Sequence, residues 1–270
     1  MKLAWGRTAA TIVAVTMMFG TTACAGLTDS GASPVAAPTT SKAPEPKQLL
    51  LDSLAEYDKG VYGVEFTGRD NKGSAAIDAT KKQAYLKMIS TDPDAAFTME
   101  ILLLEPDAYL KMDMGDLAKQ VPGMSQFNGK TWMHLDKSKI TDADSLGIKQ
   151  DDSDMLDLTA MLKSAEAVQT TGDGKYTGTL DLTKGEDTPM TDEAVVRALA
   201  DKASAVPFTA TVDAQGRFTD LTIDVPAAGQ TKAHKLTLKV TQYGTVKIPA
   251  KPTGKSVVEA PASAYEMLNG

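Results

Sequence analysis

The chain is poor in several residue types on which common functional sites depend. Its 270 residues include one cysteine and two histidines. A single cysteine excludes an internal disulfide framework and a zinc site built from several cysteines. Two histidines leave little material for a histidine-based metal site or a catalytic triad. Aromatic residues make up 6 % of the chain, so recognition of sugars or nucleobases by stacking is not expected.

Positive charge is also scarce, because 28 lysines and arginines stand against 35 acidic residues, for a net charge of −7. Nucleic-acid binding depends on clustered basic side chains that contact phosphates, so we expect no nucleic-acid partner. The sequence also lacks a P-loop, an HExxH helix and a G-x-S-x-G elbow. We therefore predict no catalytic residues, no metal site and no cofactor.

The first 23 residues have the pattern of a secretory signal peptide. Lys2 and Arg7 precede an uncharged apolar stretch over residues 8–20, and small residues follow at 21–23. The apolar stretch is too short for a comfortable transmembrane helix. We predict a signal peptide over residues 1–23.

The only cysteine, Cys24, follows this stretch directly. The run Thr-Thr-Ala-Cys resembles a bacterial lipobox, although Thr21 stands where leucine is commonest. We predict cleavage before Cys24 and acylation of its thiol, which would anchor the protein to the extracytoplasmic face of the cell membrane. Acylation would also consume a thiol that is otherwise a redox liability in an exported protein. The alternative is cleavage after Ala25, which would release a soluble secreted protein.

Composition divides the rest of the chain into three parts. Residues 24–47 are rich in Pro, Ala and Thr, which predicts that the lipidated Cys24 is followed by a disordered or polyproline tether. Residues 48–248 are expected to form one folded domain. Residues 249–270 contain three prolines and are expected to form a loose C-terminal segment.

Apolar periodicity predicts both helices and strands in the folded part. The predicted helices cover residues 47–57, 154–167 and 191–204, with a short one at 116–120. The predicted strands cover 61–69, 73–79, 82–89, 96–104, 107–113, 130–135, 175–183, 206–213, 217–225 and 232–243. Four-residue turns that end in Gly73 and Gly216 favour hairpins. We therefore predict an α+β fold with a large curved antiparallel sheet packed on a few helices.

Three phrases carry a resemblance to a known family: residues 109–112 (YLKM), 130–135 (KTWMHL) and the hairpin 206–217, which contains Val-Asp-x-x-Gly-Arg. Together with the lipobox, the tether and two runs of hairpins, they resemble the LppX/LprA/LprF/LprG lipoproteins of actinobacteria, in the LolA/LolB-like superfamily. The resemblance covers about residues 47–245. It implies a half-barrel sheet around helices, with an apolar cavity that receives lipid acyl chains.

A lipid cavity needs apolar, adaptable walls, and methionine suits this role because it is flexible and polarisable. On the predicted strands and helices, the candidates for lining it are Phe66, Leu86, Met88, Phe97, Met99, Ile101, Met112, Trp132, Met155, Leu158, Leu180, Phe208, Leu236 and Leu238. Each of them has a simpler interpretation as ordinary core. Trp132 either caps the cavity mouth or packs under the sheet.

The expected function is therefore that of a membrane-anchored envelope lipoprotein. It would bind lipid or glycolipid acyl chains, carry or present them as a monomer, and cooperate with an envelope transport protein. The alternative is a non-catalytic sensor or scaffold lipoprotein that has the same fold and binds another envelope protein. Residues 142–153 begin like a calcium loop but end in Ser153 where glutamate is required, so we do not predict a calcium site. His134 and His234 are interpreted as surface or satisfied sheet histidines.

Overall fold

The computed structural model describes residues 44–92, 96–116, 118, 125–141, 146, 153–154, 157–184 and 193–269. The predicted signal peptide, Cys24 and most of the predicted tether lie outside this part of the chain. Met155, all of the calcium-like loop except residues 146 and 153, and most of the short helix predicted at 116–120 also lie outside it. Within the described ranges, no helix is long and apolar enough to cross a membrane.

A single open sheet of twelve strands forms the body of the domain. The strands are β1 (Val61–Thr67), β2 (Asn71–Asp78), β3 (Gln83–Ser90), β4 (Thr98–Leu104), β5 (Asp107–Asp113), β6 (Trp132–Leu135), β7 (Glu166–Gly172), β8 (Lys175–Leu180), β9 (Val206–Val212), β10 (Phe218–Val225), β11 (His234–Thr241) and β12 (Val257–Glu259). Their order in the sheet is β12-β6-β5-β4-β3-β2-β1-β11-β10-β9-β8-β7. Every neighbouring pair is antiparallel except β12 and β6, and the β1–β11 pair joins the two runs of hairpins. The predicted α+β class with a large, mostly antiparallel sheet is confirmed.

Alternation of side chains along the strands gives this sheet two chemically different faces. We call one the core face; cross-strand partners Val64, Ala75, Leu86, Ile101 and Leu110 lie on it, and each is at most 5 % exposed. We call the other the outer face; it carries the intervening residues, which are mostly charged or hydroxyl-bearing. Because side chains alternate with a period of two, each strand contributes to both faces.

The described residues include four short α-helices: α1 (Pro46–Asp52), α2 (Leu158–Lys163), α3 (Glu193–Leu199) and α4 (Ala262–Asn269). Pro46 occupies the first turn of α1, where its missing N–H costs nothing, so the helix begins inside the predicted tether. The buried residues Leu50, Leu158 and Leu199 join α1, α2 and α3 to the core that the sheet provides.

The second predicted helix is shorter than expected. Its start is set by Asp154, whose carboxylate accepts hydrogen bonds from the backbone N–H groups of Leu158 at 2.7 Å and Thr159 at 2.9 Å. The prediction that the helix continues to residue 167 is wrong, because residues 166–172 form the edge strand β7. This strand is almost wholly exposed, so it lacks the apolar alternation by which a strand is detected.

The prediction that residues 249–270 are loose is also wrong. They contain β12, which pairs with β6, and the helix α4. Ala264 and Leu268 of α4 are 0 % and 5 % exposed, and the Tyr265 hydroxyl accepts a hydrogen bond from the backbone N–H of Asp136 at 2.8 Å. The folded domain therefore extends to α4, because this helix has its own apolar face to bury.

A polar clasp on the outer face fastens the C-terminal segment to the sheet. The Lys251 ammonium lies 2.5 Å from a carboxylate oxygen of Asp107. The His134 ring lies between two carboxylates, with Nε2 3.2 Å from Asp107 and Nδ1 3.2 Å from Glu259. The backbone N–H of Ala260 donates to the carbonyl of His134 at 3.0 Å. These contacts hold β12 against β6.

Replacing Lys251 with methionine should weaken this clasp in a pH-dependent way. The hydrogen bond from Lys251 is the main cause that lowers the pKa of Asp107, and His134 adds to it. A carboxylate with a lowered pKa stabilises the fold above the ordinary aspartate pKa of about 4, and the effect is lost as the pH falls through the lowered pKa. We expect the melting temperature of the variant to be below that of the wild type at pH 7. The difference should shrink as the pH falls below the ordinary aspartate pKa of about 4.

Lys255→Met is the matched control, since Lys255 is exposed on the same segment. It should melt like the wild type throughout this pH range. If Lys251→Met lowers the melting temperature by the same amount at every pH, the ionisation of Asp107 is not involved.

Candidate functional site

The strand register brings most of the predicted cavity residues to the core face. Nine of them are buried within one continuous apolar cluster: Phe66, Leu86, Ile101, Met112, Leu158, Leu180, Phe208, Leu236 and Leu238. The interpretation of these nine residues as ordinary core predicts such burial. Met155 is outside the described residues.

Two of the buried aromatic rings lie over glycines of a neighbouring strand. Phe66 pairs with Gly73, and a Cβ built on that glycine would stand 2.5 Å from Phe66 Cζ. Phe208 pairs with Gly178, and a Cβ there would stand 2.8 Å from Phe208 Cε1. Both rings therefore lie along the sheet and fill the gap that the missing side chain leaves.

The core face has a methionine-rich margin that is less completely buried. Met88, Met99 and Met112 are consecutive cross-strand partners on β3, β4 and β5. Met114 and Phe97 follow in the same two-residue period, beyond the ends of β5 and β4. Met112 is 6 % exposed, whereas the other four are half-buried. We call these five residues the Met rim.

Trp132 does not line the core face, so that part of the prediction is wrong. Its neighbour Met133 is fully buried on the core face, and alternation therefore turns Trp132 to the outer face. There the Lys111 ammonium lies 4.6 Å from the centre of the indole ring and 3.0 Å from a carboxylate oxygen of Glu100. Trp132 thus takes part in a cation–π contact on the sheet surface.

The titratable groups with shifted pKa values lie away from the Met rim. Tyr85, on the outer face, donates a hydrogen bond to Glu100 at 2.9 Å, and burial together with this carboxylate raises the Tyr85 pKa. The rings of Tyr57 and Tyr62 are stacked 4.3 Å apart, and burial raises the pKa of Tyr57. Phenols that stay neutral at physiological pH are hydrogen-bonding and packing groups here, and they offer no general base.

The two histidines have structural contacts, as interpreted from the sequence. His134 belongs to the clasp, and Nδ1 of His234 lies 3.0 Å from the carbonyl of Lys232. In the part of the chain that the structure describes, no group of three or more His, Cys, Asp or Glu side chains could hold a metal ion.

A charged pocket on the outer face was not predicted from the sequence. Two rows of outward side chains enclose it across β10, β11, β1, β2 and β3. The only sequence signal is the alternation of charged and apolar residues along these strands, which is common to most solvated sheets. The pocket forms only because strands that are distant in sequence, such as β1 and β11, pair with each other.

No protein-family model matches this chain, and no curated protein matches it significantly. The resemblance to the LppX/LprA/LprF/LprG lipoproteins is carried by the sequence motifs alone and stays a prediction. The hairpin that contributes to it is formed: the Asp213 carboxylate accepts from the backbone N–H of Gln215 and of Arg217, each at 2.9 Å. Such a turn stabilises a hairpin in many β proteins, so it bears on the fold and not on the family.

Proposed function

We propose that this protein is a membrane-anchored envelope lipoprotein that binds the acyl chains of a lipid or glycolipid at its core face and carries or presents them. The single observation that carries the proposal is the Met rim. It places four half-buried apolar side chains side by side at the margin of an otherwise buried face. Contiguous apolar residues that a folded protein leaves in contact with water commonly mark a binding site.

The chemistry of the Met rim suits hydrocarbon. An acyl chain makes no hydrogen bonds, so a wall that receives it must carry no unpaired polar group. Unbranched methionine side chains adapt to chains of different shape, and each buried methylene contributes about 0.8 kcal/mol. Because the sheet is open, with β7 and β12 at its two ends, the proposal includes a LolA-like half-barrel whose margin admits the chain.

The proposal is tested by the lipid that accompanies the protein. The full chain is purified from the membranes of its own host, and bound lipid is extracted and quantified per protein by mass spectrometry. We expect Met88→Gln/Met99→Gln to reduce bound lipid about tenfold, because two amides would face the acyl chain without partners. Both positions are half-buried, so we expect the folded domain to tolerate the polar side chains.

Two control variants separate the Met rim from general effects. Met88→Leu/Met99→Leu keeps the apolar surface and should keep the lipid. Met267→Gln makes the same chemical change on α4, where Met267 is partly buried against the core, and should also keep it. Wild-type protein with no bound lipid and no uptake of an added fatty acid or glycolipid would refute the proposal.

Dense packing on the core face favours a second candidate function, a non-catalytic sensor or scaffold lipoprotein with the same fold. Ile101, Leu110, Leu180 and Met133 are 0 % exposed, which is how a core filled by its own side chains looks. An envelope protein that is captured specifically by lipid-free protein, in an amount unchanged by Met88→Gln/Met99→Gln, would support this candidate instead.

A further inference from the structure

The outer-face pocket lies on the opposite side of the sheet from the Met rim, so it is independent of lipid binding. Its volume is about 650 Å³. Four Ser and Thr hydroxyl groups line it, together with five charged side chains: Glu65, Lys72, Lys87, Asp220 and Lys239.

The β2–β3 end of the pocket carries two lysines, Lys72 and Lys87. Lys87 has Glu100 as its cross-strand partner, but the Glu100 carboxylate is already bound to the Lys111 ammonium at 3.0 Å and the Tyr85 hydroxyl at 2.9 Å. Lys72 pairs with Ile89, which makes it a diagonal neighbour of Lys87.

Neither of these two lysines has a carboxylate within 4.0 Å among the described residues. Two ammonium groups that share one end of a pocket repel each other unless an anion lies between them. The chain as a whole is acidic, with a net charge of −7, so this local excess of positive charge is not a general property of its surface.

The adjoining strand, β1, supplies a carboxylate, that of Glu65. Ser74 lies between Lys87 and Glu65 in the register, so a hydroxyl separates Lys87 from this carboxylate, whereas Lys72 is a diagonal neighbour of both. Glu65 and, farther along, Asp220 flank Lys239. Carboxylates accept hydrogen bonds and repel anions, so this part of the pocket suits neutral hydroxyl groups of a ligand.

The spacing of the strands sets the size of the ligand. Glu65 on β1 lies two strands from Lys87 on β3, a separation of about 10 Å at about 4.8 Å per strand. A hexose phosphate spans this distance, with its phosphate at one end and its hydroxyls at the other.

We propose that this pocket binds a phosphorylated sugar or polyol. Lys72, Lys87 and the Ser74 hydroxyl hold the phosphate, and Glu65 accepts hydrogen bonds from the hydroxyls. The ligand is either a free sugar phosphate or the phosphorylated headgroup of a lipid. The chemistry of recognition is the same for both sources.

Calorimetric titration of the full chain tests the binding chemistry, with glucose 6-phosphate, glucose and inorganic phosphate as probes. We expect glucose 6-phosphate to bind most tightly. Lys72→Met/Lys87→Met keeps the aliphatic stems and should weaken its binding at least about tenfold, since two charge-assisted contacts are lost. Glu65→Gln should weaken the binding of glucose 6-phosphate but leave the affinity for inorganic phosphate unchanged.

Lys175→Met is the matched control, because Lys175 lies on the outer face on β8 but outside the pocket. This variant should change the affinity for glucose 6-phosphate less than twofold. If Lys175→Met weakens the binding of glucose 6-phosphate as much as the double variant does, the proposal is overturned.

The two sources of the ligand are separated with vesicles. The full chain carrying Cys24→Ser is mixed with phosphatidylcholine vesicles, with and without phosphatidylinositol. Retention that requires phosphatidylinositol and both lysines assigns a lipid headgroup, whereas binding of glucose 6-phosphate without such retention assigns a free sugar phosphate. Both results support the pocket, and the absence of both contradicts it. Loss of lipid binding at the Met rim affects neither readout.

Discussion

Replacing Gly73 with valine should remove most of the stability of this domain, and even Gly73→Ala should cost about 1–3 kcal/mol of the free energy of unfolding. A Cβ at this position would stand 2.5 Å from Phe66 Cζ, and it would also collide with the carbonyl oxygen of Lys87. The ring could turn away only by leaving its place in the core, where Phe66 is 4 % exposed. The carbonyl belongs to β3, the strand paired with β2, and could move only if the sheet moved. The midpoint of urea unfolding measures the loss.

Gly63→Ala is the matched control for this prediction, since Gly63 likewise lies inside a strand, β1, and its φ is not positive. The nearest atom to a Cβ there is the Thr241 hydroxyl at 3.1 Å, which belongs to a side chain and can turn. We expect a much smaller loss. Combining Gly73→Ala with Phe66→Leu should recover part of the lost stability, because the ring is then absent. A Gly73→Ala variant as stable as the wild type would contradict the argument.

The same arrangement at Phe208 and Gly178 indicates what large rings do on this face. In both pairs an aromatic side chain covers a glycine of the adjacent strand. The glycine leaves room for the ring at a position where a second bulky side chain would not fit. The sequence predicts that both phenylalanines face the interior. It does not predict that they lie flat, because this depends on which strand is the neighbour and in which register.

The strands that could be predicted are those with one buried face. Leu236, Leu238 and Val240 alternate with polar residues, and the burial of β11 alternates in the same way. β7 and β12 could not be predicted, for different reasons. β7 is exposed along almost its whole length, and β12 is a three-residue strand whose partner β6 lies more than a hundred positions earlier in the chain. Local periodicity contains no information on such pairings.

The candidate site was predictable to a similar degree. Met88, Met99 and Met112 could each be assigned to a strand from alternation, but only the register shows that they form one row. The sequence does not determine the face of Trp132, because a short strand with an aromatic residue at one end fits either face. Met133, which is fully buried, settles which face it takes. The charged pocket depends on five strands at once and has no local signature.

The proposed lipid anchor predicts that replacing Cys24 with serine abolishes membrane retention, which is the largest expected effect on where the protein is found. Each buried acyl methylene contributes about 0.8 kcal/mol to membrane affinity, so a multiply acylated cysteine holds its protein firmly. Serine offers no thiol to acylate. We expect the variant in the medium, or as a precursor that keeps residues 1–23, and we expect it not to incorporate a labelled fatty acid. Fractionation followed by intact-mass measurement distinguishes these forms.

Thr21→Leu is the matched control, because it brings the sequence closer to the common lipobox while keeping Cys24. It should leave membrane retention intact and process at least as completely as the wild type. The mass of the mature wild-type protein decides between the two cleavage sites: a chain that begins with an acylated Cys24 supports the anchor, whereas one that begins at Gly26 supports the soluble secreted form. Normal processing and unchanged retention of Cys24→Ser would refute acylation, since the signal peptide would then be gone and another part of the chain would have to hold the membrane.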